Sequence, residues 1–421
     1  MPFWWVLPVF VLGYLFIAFE HPLQLNKSAV ALLTGVVCWS LLLVAHPERQ
    51  QHLLQELTEH IADIAGIVFF LLCAMTVVET LHVHRSFRLL ARWLPVESPG
   101  WFLVAVLMLT FFLSALIDNM TTTLVMLALL REALPEQDAV RRFLAGLVVI
   151  AANAGGAWSP IGDVTTTMLW IGGHVSTFSL VRALLLPSLL TVLVPLVLVL
   201  PVLRRIEWRA RQAVPSGEPS AGVLLVCGLG LLFFIPVFHA LTRLPPVFGA
   251  FLAVGLLWVL TELVHRRYPE REHLRVHRVL HRIDVSSVLF FVGILLAVDA
   301  LQSAQVLAEL ARWLDTVVPA KEVIASLLGL LSAVVDNVPL TAAAMKMYAA
   351  YPPDHELWML IAYAVGTGGS ILVIGSAAGV VAMNAERLEF FWYMLRIAPL
   401  ALLGYAAGIG CVLLLHAVLG W

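Results

Sequence analysis

Long apolar runs, separated by short polar segments, make up most of this chain. Twelve runs can be counted, and they lie near residues 3–19, 28–45, 64–81, 101–130, 143–172, 180–203, 221–241, 245–264, 285–301, 322–350, 357–381 and 390–419. A helix needs about 20 apolar residues to cross a bilayer. The runs lack the alternation of barrel strands and are about twice as long as such a strand. The pattern therefore predicts an all-α polytopic membrane protein.

Composition strengthens this prediction and excludes several classes of protein. Of the 421 residues, 61% are hydrophobic and 12% are charged, which is too apolar for a soluble globule. The net charge is −2 and the basic residues are spread among the loops, so the lipid bilayer is the expected partner and nucleic acid is not. The chain contains no phosphate-binding loop and no nucleophile motif, so neither ATP hydrolysis nor enzymatic activity is expected.

Landmarks of the first half return in the second half in the same order. The pattern Ser-Ala-x-x-Asp-Asn-x-x-x-Thr occurs at 114–123 and again at 332–341, and the glycine-rich segment 155–162 returns at 368–375. Internal duplication is common in transporters and locates their substrate site. The predicted organisation is a first repeat (1–203), a cytoplasmic linker (204–220) and a second repeat (221–421) with a basic cytoplasmic loop (265–284).

In each half, the fourth and fifth runs contain a polar, helix-breaking patch. The fourth run breaks at Asp118-Asn119, and each arm is too short to span a bilayer, which predicts a re-entrant hairpin. The fifth run is long enough to span with an unwound centre between Asn153 and Asp163. Each half then has about five transmembrane helices plus one hairpin and one unwound helix. An odd number of crossings per half makes the two repeats inverted.

The basic residues are consistent with this topology. Placing both basic linkers in the cytoplasm puts 18 Lys and Arg residues on the cytoplasmic side and six on the other side. Ten of the 18 define the orientation, so the independent comparison is eight against six.

The broken runs also carry the candidate chemistry. Burial of an ionisable side chain at membrane depth costs free energy, so such residues usually mark the path of an ion or a proton. Asp118, Asp163 and Asp336 each lie in a patch that is rich in Asn, Thr, Ser and Gly. Such a patch supplies the oxygen ligands that a hard cation such as Na+ requires. A carboxylate that binds either Na+ or H+ produces exchange of one for the other directly.

The two halves are not chemically equal, because Asp163 aligns with Ser376. We therefore expect Na+ to bind at Asp118 and Asp163, with Asp336, Asn337 and the segment 366–370 forming a second, less charged site or a gate. The candidate cation-binding and proton-binding residues are Asp118, Asn119, Thr122, Asn153, Ser159, Asp163, Thr166, Asp336, Asn337, Thr341, Thr367, Ser370 and Ser376. Glu79 and Asp299, which also align, are candidates for a proton path. No cofactor is expected beyond the transported ion.

Each of these residues has a structural alternative. A membrane aspartate can simply cap a half-helix or bond to a neighbour. Glu79 and Asp299 lie near helix ends and could be interfacial, and Asp63 and Asp284 are expected to cap helix starts. Lys346 could pair with Asp336 or extend to the membrane surface, and extension to the surface is the favoured interpretation.

At these residues the chain resembles the NhaD-type sodium/proton antiporters of the ion-transporter superfamily, which also contains arsenite and dicarboxylate carriers. The matching segments are 114–123, 153–167, 332–341 and 366–379. The resemblance implies a multi-pass protein of the inner (plasma) membrane that exchanges Na+ or Li+ for H+ in pH homeostasis. It also implies a homodimer. The alternative is a sodium-coupled symporter of a small, dicarboxylate-like anion on the same fold. Relatives that carry dicarboxylates have uncharged Ser-Asn-Thr tips, whereas both tips here carry Asp.

Overall fold

The computed structural model describes residues 4–18, 23–203, 207–212, 218, 220–266, 268–318 and 320–419. Within these ranges the regular structure is helical, and no strand occurs. The α-helices are α1 (Val6–Ala18), α2 (Lys27–Ala45), α3 (Gln50–Val83), α4 (Pro99–Ser114), α5 (Asn119–Ala133), α6 (Asp138–Gly156), α7 (Val164–Ile171), α8 (Thr177–Leu203), α9 (Ala221–Thr242), α10 (Pro246–His265), α11 (Val276–Val279), α12 (Val285–Ser303), α13 (Val306–Val317), α14 (Lys321–Leu331), α15 (Asn337–Met347), α16 (Glu356–Gly368), α17 (Ala377–Glu386), α18 (Phe390–Arg396) and α19 (Ala398–Leu419). Short 3-10 helices lie at Pro47–Arg49, Ser86–Trp93, Pro269–Leu274 and Leu280–Arg282.

The helix lengths confirm an all-α polytopic membrane protein. Eight helices of the described residues are long and apolar enough to cross a bilayer: α2, α3, α6, α8, α9, α10, α12 and α19. Two further predicted crossings have a different form. The run near 3–19 contains the 13-residue helix α1, and the run near 357–381 contains two helices of 13 and 10 residues.

Helix α3 is much longer than its apolar run, since its 34 residues extend from Gln50 to Val83. Its first turns are polar and were not visible as part of an apolar segment. The expectation that Asp63 caps a helix is therefore wrong, because Asp63 lies inside α3. Asp284 does cap α12, and its carboxylate accepts a hydrogen bond from the backbone N–H of Ser287 at 3.2 Å.

The fourth and fifth runs of each half are broken where the polar patches predicted. In the first half, α4 and α5 are joined by residues 115–118, and α6 is separated from α7 by residues 157–163. In the second half, α14 and α15 are joined by residues 332–336, and α16 is separated from α17 by residues 369–376. Helices of 16 and 15 residues in the first hairpin are about 24 Å and 22 Å long, too short for a full crossing.

The same close contacts seat each hairpin against its broken helix. The Ser114 hydroxyl donates to a carbonyl oxygen of α6 at 2.6 Å, and the Ser332 hydroxyl donates to one of α16 at 2.9 Å. A Cβ at Gly162 would lie 2.6 Å from the carbonyl oxygen of Ser114, and one at Gly375 would lie 2.6 Å from that of Ala333. Only glycine permits so close an approach of two backbones.

Helices α6 and α16 form the centre of the protein. Residues 144–156 of α6 and 357–368 of α16 are buried on every side. A helix that is apolar all round belongs to the interior of a large or membrane protein. Outer helices such as α9 and α10 instead leave many large apolar side chains exposed, which suits contact with lipid. The two central helices therefore bring their broken ends together inside the protein.

Candidate functional site

Asp163 is the carboxylate on which the broken elements converge. It precedes α7 and is 4% exposed. Its Oδ1 accepts the backbone N–H of Val164 at 2.9 Å, and its Oδ2 accepts the Thr165 hydroxyl at 2.5 Å. These two bonds cap the helix, and they use only part of the capacity of a carboxylate, which offers about four lone-pair sites.

The tips of both hairpins supply the remaining bonds to Asp163. Asn119, the first residue of α5, donates through Nδ2 to Oδ1 of Asp163 at 3.2 Å. Asn337, the first residue of α15, donates through Nδ2 to Oδ2 at 3.1 Å. The sequence predicts a second, less charged site or a gate at Asn337, and the fold brings this residue onto the same carboxylate as Asn119.

A second layer of bonds connects this centre to the other broken helix. Asn153 of α6 accepts from Asn119 through Oδ1 at 3.2 Å and donates through Nδ2 to the Ser376 hydroxyl at 3.1 Å. Ser376 caps α17 and accepts from the backbone N–H of Gly379 at 3.2 Å. Asp163 and Ser376, which align in the proposed repeat, thus cap α7 and α17 respectively. Asn153 links Ser376 to Asn119 at the tip of the first hairpin.

Asp118 and Asp336 cap the second helix of each hairpin. Asp118 accepts from the backbone N–H and the hydroxyl of Thr121 at 2.8 and 2.7 Å. Asp336 accepts from the backbone N–H of Val338 at 3.0 Å, and its own N–H donates to the Tyr14 hydroxyl of α1 at 3.1 Å. Both carboxylates are half-buried. Their capping role is compatible with a second role, because a capping carboxylate keeps free lone pairs.

The other predicted site residues are buried hydroxyls that bond to the main chain. Thr166 donates to the carbonyl of Asp163 at 3.0 Å, and Ser159 accepts from the N–H of Ile161 at 3.4 Å. Thr122, Thr341, Thr367 and Ser370 each bond to a carbonyl oxygen of their own helix or turn. These hydroxyls stabilise the turns around the centre, and none of them bonds directly to the Asp163 carboxylate.

A cavity of about 260 Å³ reaches this centre from one side. Asp163 and Asp118 line this cavity together with Glu79, His82 and Arg282. A space of this size holds several water molecules, since one water needs only about 10–15 Å³ of such volume. Asp163 is therefore buried among polar partners and yet borders a space that water and small ions can enter.

Glu79 and Asp299, the aligned pair, have different surroundings. Glu79 is half-buried and lines the cavity. Asp299 is 4% exposed, and its Oδ1 lies 3.0 Å from Nζ of Lys346 and 3.4 Å from Nδ1 of His60. Asp299 lies near the C-terminal end of α12 and is buried among protein side chains. Lys346 pairs with Asp299 and not with Asp336, so the counter-ion interpretation is wrong, and its side chain is 24% exposed.

Three residues outside the predicted site are brought into contact with acidic groups by the structure. Thr165 bonds to Asp163, Thr121 bonds to Asp118, and His60 approaches Asp299. A threonine two or three residues after a capping aspartate is a local signal that could have indicated the first two. His60 lies 239 positions from Asp299 in the chain and carries no local signal.

Comparison with known proteins identifies the family of this chain. The profile of the citrate transporter family matches residues 14–366. Sodium/proton antiporter 1 of Arabidopsis thaliana is 45% identical over 97% of this chain and 72% of that protein. Sodium/proton antiporter 2 of the same plant is 42% identical over 97% of this chain and 98% of that protein.

A bacterial sodium/proton antiporter is also similar to this chain over most of its length. The Na(+)/H(+) antiporter NhaD of Vibrio cholerae is 30% identical, with 97% of this chain and 91% of that protein covered. The family and these relatives are membrane transporters and not enzymes. The chain therefore belongs to the citrate transporter family, among its NhaD-type sodium/proton antiporters.

Proposed function

We propose that this protein exchanges Na+ or Li+ for H+ across a membrane, with Asp163 binding the cation and the proton in turn. One observation carries the proposal: a single buried carboxylate receives amide donors from both hairpin tips and borders a cavity. The three relatives described above are named as sodium/proton antiporters, which supports the same reaction.

The bonds around Asp163 suit its cation-free state. Thr165, Asn119, Asn337 and the backbone of Val164 all donate hydrogen bonds to it, so the carboxylate has donors on both oxygens. A bound Na+ needs oxygen ligands. Rotation of the Asn119 and Asn337 amides would present their oxygens to the ion. Each hairpin tip would then contribute one ligand, and Asp163 would contribute the charge.

Competition for one charge explains obligatory exchange. A proton on Asp163 removes the negative charge that attracts Na+, and a bound Na+ removes the lone pair that would take the proton. Only one of the two can occupy the centre, so the passage of one in each direction is coupled. Unwound backbone at membrane depth is tolerated here because it is packed in protein and borders the cavity.

Charge also distinguishes cations from anions. Asp118, Asp163 and Asp336 all lie at the broken elements. Their field favours cations and repels a dicarboxylate. The family description names citrate, so sodium-coupled anion symport remains the second candidate. The side chains that bond to Asp163 are neutral amides and a hydroxyl, which offer no counter-charge for a multivalent anion.

The contacts that recur in both halves support the repeat proposed from the sequence. On this proposal, residues 1–203 and 221–421 are inverted repeats, and residues 204–220 and 265–284 lie in the cytoplasm. The cavity, which Glu79 and Arg282 line, would then open to the cytoplasm. The protein would act as a homodimer in the inner (plasma) membrane and contribute to pH homeostasis.

Proton flux in proteoliposomes tests the proposed function. Purified protein is reconstituted with a pH-sensitive dye inside, and Na+, Li+, K+ or citrate is added in turn. The expected result is proton movement driven by Na+ or Li+ without any organic anion. A requirement for citrate would establish the symporter instead. Proton movement that needs no cation gradient would indicate a channel.

A further inference from the structure

We propose that the ion pair between Lys346 and Asp299 holds the protein closed on the side opposite the cavity, and that the pair breaks in every transport cycle. The inference rests on the proposed exchange function, because alternating access requires one closed side at a time. It assigns a gating role to two residues outside the Asp163 centre.

The ion pair joins three separate helices. Nζ of Lys346, on α15, lies 3.0 Å from Oδ1 of Asp299, on α12, and Nδ1 of His60, on α3, lies 3.4 Å from the same oxygen. The side chain of Asp299 is 6% exposed, that of His60 is 13% exposed and that of Lys346 is 24% exposed. Removal of one partner leaves the other charge buried and uncompensated, which is strongly unfavourable. The pair therefore holds α15 against α12 and α3.

Helix α15 connects this ion pair to the cation centre. Its first residue, Asn337, donates to Asp163, and Lys346 lies nine residues further along the same helix. At 1.5 Å per residue the two are about 14 Å apart. A helix of this length moves as a rigid body. When a cation rotates or displaces Asn337, the movement is transmitted to Lys346.

The ion pair and the cavity lie at different levels along α3. His60 contacts Asp299, whereas the residues of α3 that line the cavity lie between Phe70 and His82, 10 to 22 residues later. That separation corresponds to about 15–33 Å along the helix. The cavity therefore lies to one side of the ion pair along α3, and none of the three residues of the ion pair lines it.

The first half has no equivalent of this pair. Glu79 is the aligned counterpart of Asp299, but the position that matches Lys346 when Asp118 is laid over Asp336 is Ala128. The ion pair therefore stabilises closure at one side only. Loss of the pair is expected to shift the protein towards the conformation that is open on the Lys346 side and closed on the cavity side.

Cysteine labelling in nanodiscs, where both sides are accessible, tests this inference. The full-length chain with its four native cysteines replaced receives either Met120→Cys, which lines the cavity, or Ala343→Cys, one turn before Lys346. The rate of reaction with a membrane-impermeant maleimide is measured. In the parent protein the cysteine at position 120 reacts and that at 343 is protected.

Lys346→Gln and Asp299→Asn should each raise the rate at position 343 by about tenfold or more and lower the rate at 120. The charge-exchanged double variant Asp299→Lys with Lys346→Asp should restore protection at 343. Arg312→Gln, which removes the exposed ion pair between Arg312 and Glu309, is the matched control and should leave both rates unchanged.

Unchanged rates at 343 in the Lys346 and Asp299 variants would overturn the inference. Increased rates at both positions, not reversed by charge exchange, would do the same, because they indicate general loosening. Labelling reports conformation without any ion flux, so its outcome is independent of which ion is transported. The flux assay can therefore contradict the proposed function while the labelling rates support the gate. Equally, the labelling rates can contradict the gate while the flux assay supports the proposed function.

Discussion

Replacement of Asp163 by Asn removes the negative charge and replaces one of the two accepting oxygens by an NH2 group. Asn is as effective a helix cap as Asp, so α7 should keep its start. One oxygen remains to accept from the surrounding donors, and the side-chain volume is nearly unchanged. The variant should therefore insert and fold, which size-exclusion chromatography and circular dichroism can verify.

The loss in cation affinity follows from Coulomb's law. A Na+ at about 2.4 Å from a carboxylate oxygen gains on the order of 7 kcal/mol from one full charge at an effective dielectric constant of about 20. Each 1.4 kcal/mol is about a factor of ten, so Asp163→Asn should weaken Na+ binding by about five orders of magnitude. Exchange should be abolished at any practical Na+ concentration.

Isothermal titration with Na+ and proton flux in proteoliposomes measure the two consequences. Thr165→Val is the matched control, because it removes the 2.5 Å bond to the same carboxylate and keeps the charge. The loss of one hydrogen bond to a charged group should weaken Na+ binding by about 1.5–3 kcal/mol, so exchange should remain measurable. If Asp163→Asn exchanged Na+ at a rate similar to that of Thr165→Val, the assignment of the charge to Asp163 would be refuted.

Three further predictions concern other parts of the structure. Asp118→Asn keeps the cap of α5 and should still lower the exchange rate markedly, whereas equal flux in Asp118→Asn and the wild type would limit Asp118 to capping. Gly155→Ala places a methyl group 2.2 Å from the carbonyl oxygen of Phe111, which should destabilise the folded protein by about 1–3 kcal/mol or more. The yield of folded protein in size-exclusion chromatography should therefore fall. Gly230→Ala is the control, because the space around Gly230 is open and the substitution should be neutral or slightly stabilising. Burial lowers the pKa of His84, just beyond the end of α3, from 6.5 to about 4, so the folded state keeps it neutral. The unfolded chain binds a proton at His84 that the folded chain does not. The free energy of unfolding should therefore be highest above about pH 6.5 and should fall by up to about 3 kcal/mol as the pH is lowered towards 4. Scanning fluorimetry should show this decline in the wild type and a weaker decline in His84→Phe.

The sequence was sufficient to predict the broken elements of the fold. A polar patch inside an apolar run is visible locally, and the patches at Asp118 and Asp163 mark a hairpin turn and a helix break. Hydropathy was less informative at α3, because its polar first turns extend beyond the apolar stretch. That is why Asp63 was expected at a helix start and lies inside a helix.

Through-space partners were not predictable from local pattern. Asn337 bonds to Asp163 across 174 positions of sequence, and Lys346 and His60 meet at Asp299 from different helices. No periodicity or motif encodes such pairings, since they depend on how the two halves pack. The proposed repeat indicates which residues correspond, and the packing of the helices decides which of them meet.

Proton release on Na+ binding tests the central claim most directly. Titration calorimetry of the purified protein in buffers of different ionisation enthalpy gives the number of protons released per Na+ bound. If Asp163 binds Na+ and H+ in turn, the apparent Na+ affinity should fall as the pH is lowered, each bound Na+ should release protons in that range, and Asp163→Asn should show neither effect. Na+ binding whose affinity is independent of pH, with no proton released, would contradict the account.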